Sequence, residues 1–212
     1  QGQDVQPKPA VGEEKLRFNW NTPIYFSPTN AKRLYMGSQF LHISENGGIS
    51  WKRSIDLTTN DSLKKKQEES GGLTADNTSA ENHCTIFTIA ESPLEEKTVL
   101  VGTDDGNFQI SNDAGNTWHN VSKSIAASGI PSQTWVSSIE PSHFDKQLIY
   151  VTFDNHTYGD MNTYLAVSKD GGNSWKQIKS PVFKGYAHKI KEDIENRNLL
   201  FLGTEWGLYL SI

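Results

Sequence analysis

The sequence has little of what several protein classes depend on. Cys84 is its single cysteine among 212 residues, so no disulfide can form within the chain. No Cys-x-x-Cys pair, phosphate-binding loop motif or dinucleotide-binding motif occurs, and the six histidines show no metal-type spacing. The sequence therefore predicts no metal site and no cofactor.

Positive charge and long apolar runs are also scarce. Twenty Lys and Arg residues stand against 25 Asp and Glu residues, and the resulting net charge of −5 argues against nucleic-acid binding. No apolar run approaches the length that spans a bilayer, so no direct membrane span is expected.

Aromatic residues and a repeated octapeptide are what the sequence does contain. Six Trp, seven Tyr and nine Phe residues are enough to fill the interfaces of stacked sheets. The octapeptide occurs three times and a fourth copy breaks off, at residues 44–51, 111–118, 168–175 and 211–212. A fixed motif at regular spacing indicates a repeat architecture. From the broken fourth copy we expect the chain to be a piece of a longer protein.

Each octapeptide follows the pattern Ser-x-Asp-x-Gly-x-Thr-Trp, with Asn46 in place of the Asp in the first copy and with Ser50 and Ser174 in place of the Thr in the first and third copies. Ser and Asp side chains bond nearby backbone N–H groups, Gly takes a positive φ, and the Trp begins the next strand as an anchor between sheets. A ligand or metal site built from the Asp residues is the alternative, but a carboxylate already bonded to backbone is a poor catalyst. We interpret these positions as structural: Ser44, Asn46, Gly48, Trp51, Ser111, Asp113, Gly115, Trp118, Ser168, Asp170, Gly172 and Trp175.

Short β-rich runs surround every octapeptide at even spacing. Three runs and the residues after the Trp make one four-stranded antiparallel meander of about fifty residues, the length of a propeller blade. No stretch of useful length shows apolar residues at helical spacing, which excludes a helical solenoid. The predicted fold is all-β, with about four β-propeller blades.

The repeats divide the chain into segments of one propeller domain. We expect the tail of a preceding blade or a linker at 1–16, blade 1 at 17–56, a polar inserted loop at 57–83, blade 2 at 84–122, blade 3 at 123–180 and an incomplete blade 4 at 181–212. A closed four-bladed ring would need Asp4-Val5-Gln6 as the outer strand of blade 4. We favour an arc of a larger propeller.

Two segments depart from the repeat, and functional sites are often grafted on such loops. In the polar inserted loop, residues 62–69 have the pattern of one or two helical turns, and their interleaved Lys and Glu residues favour a solvated loop over a phosphate-binding patch. The other segment, 153–163, expands the loop between the second and third strands of blade 3. An extended chain there would place Asp154, His156 and Tyr158 on one face.

Candidate functional residues all fall on this loop and on its counterparts in the neighbouring blades. The register of the repeats places Glu205-Trp206 of blade 4 and Asp104-Asp105 of blade 2 at the same end of the blades, on one rim of the propeller. The catalytic candidates, if the chain has an activity, are Asp154, Asp160 and Glu205, and the ligand-binding candidates are His156, Tyr158 and Trp206. A mobile or edge-decorating loop is the alternative interpretation.

Several segments carry a family resemblance, namely 17–24, 34–37, 70–74, 85–93, 101–106 and 202–209. Through them the chain resembles the Asp-box, or BNR-repeat, propellers of the sortilin and xyloglucanase-like superfamily. The resemblance is closest to the large bacterial proteins labelled BNR-repeat glycosyl hydrolases, and it covers nearly the whole chain. It implies a stretch inside one or two large propellers of a longer protein that is secreted or lies in the bacterial periplasm or cell envelope, associated with the outer membrane.

The resemblance implies two kinds of function. Sortilin-like propellers bind peptides or protein segments, so we expect a scaffold that binds protein, peptide or glycan, with the remaining blades, other envelope proteins or a polysaccharide as partners. The alternative is a xyloglucanase-like glycoside hydrolase, which needs two carboxyl groups with opposite protonation tasks. A sialidase is not expected, because the chain has only four arginines and lacks the arginine cluster that binds the substrate carboxylate in that class.

Overall fold

Residues 5–58 and 81–211 are described by the computed structural model, and their strands form four antiparallel sheets, which we call blades 1 to 4. Neighbouring strands in sequence are neighbours in each sheet. Blade 1 contains β1 (Ile24–Phe26), β2 (Leu34–Gly37), β3 (Phe40–Ser44) and β4 (Lys52–Asp56). Blade 2 contains β5 (Ile86–Ser92), β6 (Glu95–Thr103), β7 (Phe108–Ser111) and β8 (His119–Asn120). Blade 3 contains β9 (Trp135–Pro141), β10 (Ile149–Asp154), β11 (Tyr164–Ser168) and β12 (Lys176–Gln177). Blade 4 contains β13 (Ala187–Glu192), β14 (Leu200–Thr204) and β15 (Gly207–Ser211).

Apolar side chains fill the junctions between consecutive blades. Three clusters of buried residues lie between blades 1 and 2, blades 2 and 3, and blades 3 and 4. Val, Ile, Leu and aromatic residues suit such two-sided sheets because both faces of an inner blade are buried. The all-β architecture with four antiparallel sheets confirms the predicted fold class.

Two short helical pieces interrupt the strands. Helix α1 (Ser122–Ala127) lies in the link from blade 2 to blade 3, and its Ile125 enters the cluster between those blades. A 3-10 turn covers His156–Tyr158. The extended conformation that would place Asp154, His156 and Tyr158 on one face is therefore not formed, because a 3-10 turn begins at His156.

Some sequence expectations fall outside the described residues. The helical turns expected at 62–69, most of the polar inserted loop, Asp4 and Ile212 lie there. Val5 is described and contacts blade 1, where the indole N–H of Trp51 donates to its carbonyl oxygen at 2.8 Å. Among the described residues, no helix is long and apolar enough to cross a membrane.

The octapeptide of blade 3 is a closed hydrogen-bonded turn. Ser168 Oγ accepts from the N–H of Gly172 at 2.8 Å and donates to Asp170 Oδ1 at 2.8 Å. The Asp170 carboxylate accepts from the backbone N–H of Ser174 at 2.9 Å and from its hydroxyl at 2.5 Å. The octapeptides of blades 1 and 2 repeat this pattern. The indole N–H of Trp175 donates to the Gly172 carbonyl at 3.0 Å, which closes the turn onto the last strand.

The octapeptide glycine receives an aliphatic side chain from the third strand of the preceding blade. A Cβ built on Gly172 would lie 2.2 Å from Ile110 Cδ1, and one built on Gly115 would lie 2.7 Å from Ile43 Cδ1. On Gly48 of blade 1, the corresponding neighbour is Val5, whose Cβ would be 3.1 Å away. We call these aliphatic residues the knobs. Ile43 and Ile110 fix the distance between blades 1 and 2 and between blades 2 and 3, because only glycine leaves room for them.

At two of the three junctions, a glutamate near the end of the first strand of one blade bonds to the preceding blade. Glu91 of β5 accepts from the Ser27 hydroxyl of blade 1 at 2.8 Å and from the Tyr35 hydroxyl at 2.6 Å. Glu192 of β13 holds the same register position and accepts from the Ser142 hydroxyl of blade 3 at 2.8 Å. Buried carboxylates are stable only with such donors, so each glutamate ties its blade to the turn of the preceding one.

Replacing the glycine beneath a knob is expected to destabilise the fold. Gly172→Ala places a methyl group against Ile110 at a φ of +95°, so both overpacking and backbone strain oppose it, and overpacking alone costs about 1–3 kcal/mol. Gly47→Ala is the control, because its φ is also positive but an added Cβ meets nothing within 4 Å. Denaturant titration measures both. Equal losses of stability would contradict the role of the knob.

The octapeptide carboxylates are expected to make the fold sensitive to acid. Hydrogen bonds from Ser174, first its hydroxyl and then its backbone N–H, lower the pKa of Asp170 to about 2. This pKa lies below the unfolded value of about 4, so the stabilisation is present above pH 4 and is lost as the pH falls towards 2.

Asp170→Asn is expected to remove the part of the acid sensitivity that this carboxylate contributes. Asn46 shows that an amide makes the same turn, since its Nδ2 donates to Ser50 Oγ at 2.9 Å and its Oδ1 accepts from the Ser50 N–H at 3.0 Å. Thermal unfolding between pH 2 and pH 7 gives the measurement, with Asp170→Ala as the variant that loses bonds at every pH. An unchanged acid dependence in Asp170→Asn would contradict the assignment.

Candidate functional site

Carboxylate and amide side chains recur at one position of the rim formed by the loops between the second and third strands. The position lies two residues after Gly37, Gly102, Thr152 and Gly203 of the second strands, which share one register. It is occupied in blades 1 to 4 by Gln39, Asp104, Asp154 and Glu205. The rim therefore carries a polar group at the same height in every blade.

Five side chains meet on this rim at the junction of blades 3 and 4, and we call them the rim cluster: Asp154, His156, Tyr186, His188 and Glu205. Asp154 Oδ1 lies 2.6 Å from His156 Nδ1. The His156 ring stacks on Tyr186, with centroids 4.4 Å apart and planes at 21°. Tyr186 meets the His188 ring edge to face at 4.6 Å, and His188 Nε2 lies 3.2 Å from Glu205 Oε2. The cluster is a continuous chain of polar and aromatic contacts across the junction.

The cluster holds Glu205 as an anion. Hydrogen bonds from Tyr186 and then from His188 keep the pKa of Glu205 below its usual range. Burial first, and the Glu205 carboxylate second, raise the pKa of the Tyr186 hydroxyl to about 12. Tyr186 is therefore a hydrogen-bond donor at neutral pH, and Glu205 is an acceptor for it and for His188.

Large aromatic surfaces lie beside the cluster. Trp206 follows Glu205 and is 73% exposed. Its indole lies over Gly185, where an added Cβ would come within 3.1 Å of Trp206 Cδ1. Tyr158 ends the 3-10 turn of blade 3 and is 57% exposed. Exposed rings next to fixed polar groups provide both stacking surfaces and hydrogen-bond partners for a ligand.

Asp160, the remaining catalytic candidate, makes its contacts elsewhere. Its carboxylate accepts from the Tyr164 hydroxyl at 2.8 Å, from Asn155 Nδ2 at 3.0 Å and from the Asn162 backbone at 3.1 Å. Desolvation opposes its ionisation, but the hydrogen bonds from Asn155, Asn162 and Tyr164 outweigh it and lower the pKa of Asp160. The geometry gives Asp160 the task of fixing its own loop.

A buried counterpart of the rim cluster lies at the junction of blades 2 and 3. His83 Nδ1 is 3.5 Å from Asp104 Oδ1, and the His83 ring stacks on Trp135 at 6.3 Å with planes at 28°. Asp104 is fully buried and accepts from the Thr85 N–H at 2.8 Å and from its hydroxyl at 2.7 Å. Burial first, and Asp105 second, raise the pKa of Asp104 to about 8.

Both junctions thus bring together an acid, a histidine and an aromatic ring, but solvent reaches the two sets of side chains to different extents. The His83 side chain is 4% exposed and that of His156 is 38% exposed. Since a ligand can reach only the second arrangement, the junction of blades 3 and 4 is the candidate functional site. Within residues 5–58 and 81–211, no three His, Cys, Asp or Glu side chains are grouped so that they could hold a metal ion.

Sequence reasoning named Asp154, His156, Glu205 and Trp206 but missed Tyr186 and His188. Both stand at the start of blade 4, where Glu205 N donates to the Tyr186 carbonyl at 3.1 Å. The antiparallel register of the first and second strands contained the signal, because it places Tyr186 opposite Glu205. The stacking of His156 on Tyr186 had no signal in the sequence, since it depends on the 3-10 turn.

Comparison with solved structures identifies the class of fold. An ancestral GH74 enzyme matches with a TM-score of 0.64 and 20% identity, over 92% of this chain and 23% of that one. YCF48 bound to D1 peptide matches with a TM-score of 0.53 and 11% identity, over 97% of this chain and 52% of that one. The β-propeller domain of Cps50 (Swd1) from Myceliophteria thermophila matches with a TM-score of 0.55 and 12% identity, over 93% of this chain and 52% of that one.

These likenesses show that the chain has a β-propeller fold, and at such low identity they show the fold alone. The chain spans between 23% and 52% of the length of the three structures. No family model and no curated protein matches it.

Removing the Glu205 charge is expected to lower the pKa of Tyr186 from about 12 towards the ordinary value of about 10. In Glu205→Gln the tyrosinate no longer meets a neighbouring carboxylate, although burial still opposes its ionisation. The measurement is a pH titration of the tyrosine ring carbon by NMR. Asp154→Asn is the control, because Asp154 is the weakest of the four causes and its loss should move the pKa less. An unchanged pKa in Glu205→Gln would contradict the contact.

Proposed function

We propose that this chain is part of a binding scaffold whose rim cluster takes up a peptide, a protein segment or a glycan. The observation that carries the proposal is the open arrangement of Asp154, His156, Tyr186, His188 and Glu205 beside the exposed Trp206. The matching junction between blades 2 and 3 keeps the same side-chain types buried, so access distinguishes the two.

The side chains of the rim cluster have the features of a ligand-binding site. Binding sites combine aromatic surfaces with a few polar groups whose orientation is fixed before the ligand arrives. Asp154 orients the His156 ring, and Tyr186 and His188 orient the Glu205 carboxylate. Trp206 offers an indole face of the kind on which sugar rings and peptide side chains stack.

The proposal also includes a cellular location and partners. From the Asp-box resemblance of the octapeptides we infer an envelope-associated or secreted location, with other envelope proteins or a polysaccharide as partners. YCF48 has been solved with a bound peptide, which makes a peptide the first ligand class to test.

Glycoside hydrolysis is the second candidate function. It is favoured by the placement of Asp154 and Glu205, two carboxyl groups at equivalent rim positions of adjacent blades, and by the likeness to an ancestral GH74 enzyme. The lowered pKa of Glu205 suits a base or nucleophile, so the general acid would have to be Asp154, which already lies 2.6 Å from His156 Nδ1. We therefore rank hydrolysis below binding.

Truncation of the rim aromatics is expected to weaken binding. Trp206→Ala or Tyr186→Ala should weaken the affinity for a ligand found on peptide and glycan arrays by at least tenfold, since buried aromatic anchors carry most of the energy of an interface. Isothermal titration calorimetry gives the affinity. Matched controls at the opposite end of the blades are Phe144→Ala and Glu195→Gln, which should bind like the parent protein.

Two results would count against the proposal. Binding that survives both rim substitutions would place the ligand elsewhere. Release of reducing sugar from a polysaccharide, lost in both Asp154→Asn and Glu205→Gln, would establish the hydrolase in its place.

A further inference from the structure

The outer face of blade 4 presents three apolar side chains whose equivalents are covered in every other blade. The three face positions are paired residues of the second and third strands. Tyr35, Leu41 and Ile43 hold them in blade 1, where Tyr35 pairs with Ile43 and Gly37 pairs with Leu41. Blades 2 and 3 repeat this register with Leu100, Phe108 and Ile110, and with Tyr150, Leu165 and Val167.

All nine of these side chains are buried, and each set belongs to the apolar cluster shared with the next blade. In blade 4 the same register gives Phe201, Leu208 and Leu210. Leu208 is 66% exposed and Leu210 is 56% exposed. Contiguous exposed apolar residues of this kind mark an interaction surface.

The knobs show what kind of partner fits this face. Leu210 holds the register position of the knobs Ile43 and Ile110, each of which fills the space over an octapeptide glycine of the next blade. Leu208 holds the position of Phe108, whose ring meets Trp175 of the next blade edge to face at 5.3 Å. The face is therefore shaped for a glycine and a tryptophan at octapeptide spacing.

We propose that the face formed by Phe201, Leu208 and Leu210 docks a further antiparallel blade that carries a Ser-x-Asp-x-Gly-x-Thr-Trp turn. The turn places its glycine over Leu210 and its tryptophan against Leu208, which continues the interfaces between blades 1, 2 and 3. This surface is separate from the rim cluster, so the inference does not depend on the proposed binding function.

A second copy of this chain fits the face less well. Its blade 1 carries the octapeptide glycine Gly48, but Val5 of the same copy already lies over that glycine, and Trp51 is bonded to the Val5 carbonyl. The knob position on blade 1 is therefore filled within each copy. The partner needs an octapeptide whose glycine is free.

The chain itself supplies a blade with which to test the proposal. A second copy of residues 112–180, joined directly to Ser211 in place of Ile212, adds an octapeptide, the link with its helix and a complete copy of blade 3. Ser211 and Ser111 hold the same register position, so the added blade meets Leu208 and Leu210 as the native blade 3 meets Phe108 and Ile110. Hydrogen exchange followed by mass spectrometry measures whether the added blade is folded.

The expected result is exchange at least tenfold slower in the added blade than in an unfolded chain, with this protection lost in Leu210→Asp and reduced by Gly172→Ala in the added copy alone. Ile194→Asp is the matched control, because Ile194 is 71% exposed but lies in a connecting loop of blade 4 outside the face, and it should leave the protection unchanged.

Three outcomes would overturn the proposal. The added blade stays unprotected in the parent fusion, or it is equally protected in Leu210→Asp, which would mean that it folds without the face. The third is a dimer of the original chain in sedimentation equilibrium that becomes monomeric in Leu210→Asp, which would show that a second copy covers the face.

Discussion

Close contact between a knob and an octapeptide glycine determines how blade 1 fits against blade 2 and how blade 2 fits against blade 3. The turn is held by its own hydrogen bonds: Ser168 and Asp170 bond the backbone and the hydroxyl group of the residues that follow. A turn so fixed presents Gly172 to Ile110 at one distance, and the indole of Trp175 closes the contact beside Phe108. Local hydrogen bonding thus sets a long-range packing distance, and the apolar clusters between the blades form around it.

The rim cluster depends on the separation of blades 3 and 4, a junction that an apolar cluster and Glu192 hold together. His156 comes from blade 3 and Tyr186 from blade 4, so a stack with centroids 4.4 Å apart exists only because the two blades lie at a fixed separation. Between blades 2 and 3 the same types of side chain meet as His83, Asp104 and Trp135, and there they are buried. The same types of side chain are therefore buried at one junction and open to ligands at the next.

The sequence was sufficient to predict the blades because their signals are local and repeated. Octapeptide spacing, apolar runs and turn residues all act within about fifty residues, and the four sheets follow them. The site was only partly predictable. Asp154, His156 and Glu205 could be named from the loop pattern, but their meeting with Tyr186 and His188 depends on a 3-10 turn that has no periodic signal. Asp160, a further candidate in the same loop, accepts hydrogen bonds from Tyr164 and Asn155, and nothing in the loop pattern separated it from Asp154.

The glutamates at the ends of the first strands have a consequence for how the molecule unfolds. Glu91 joins blade 2 to blade 1 and Glu192 joins blade 4 to blade 3, whereas Pro141 holds the same register position in blade 3. Separating blade 1 from blade 2, or blade 3 from blade 4, breaks the hydrogen bonds of a carboxylate as well as apolar contacts, while the middle junction is held by apolar contacts and helix α1. Neighbouring blades are therefore coupled in two ways: the outer junctions by carboxylate hydrogen bonds and apolar contacts, and the middle junction by apolar contacts and helix α1. Cooling weakens apolar association more than it weakens hydrogen bonds, so the middle junction is the boundary along which a cooled chain first divides.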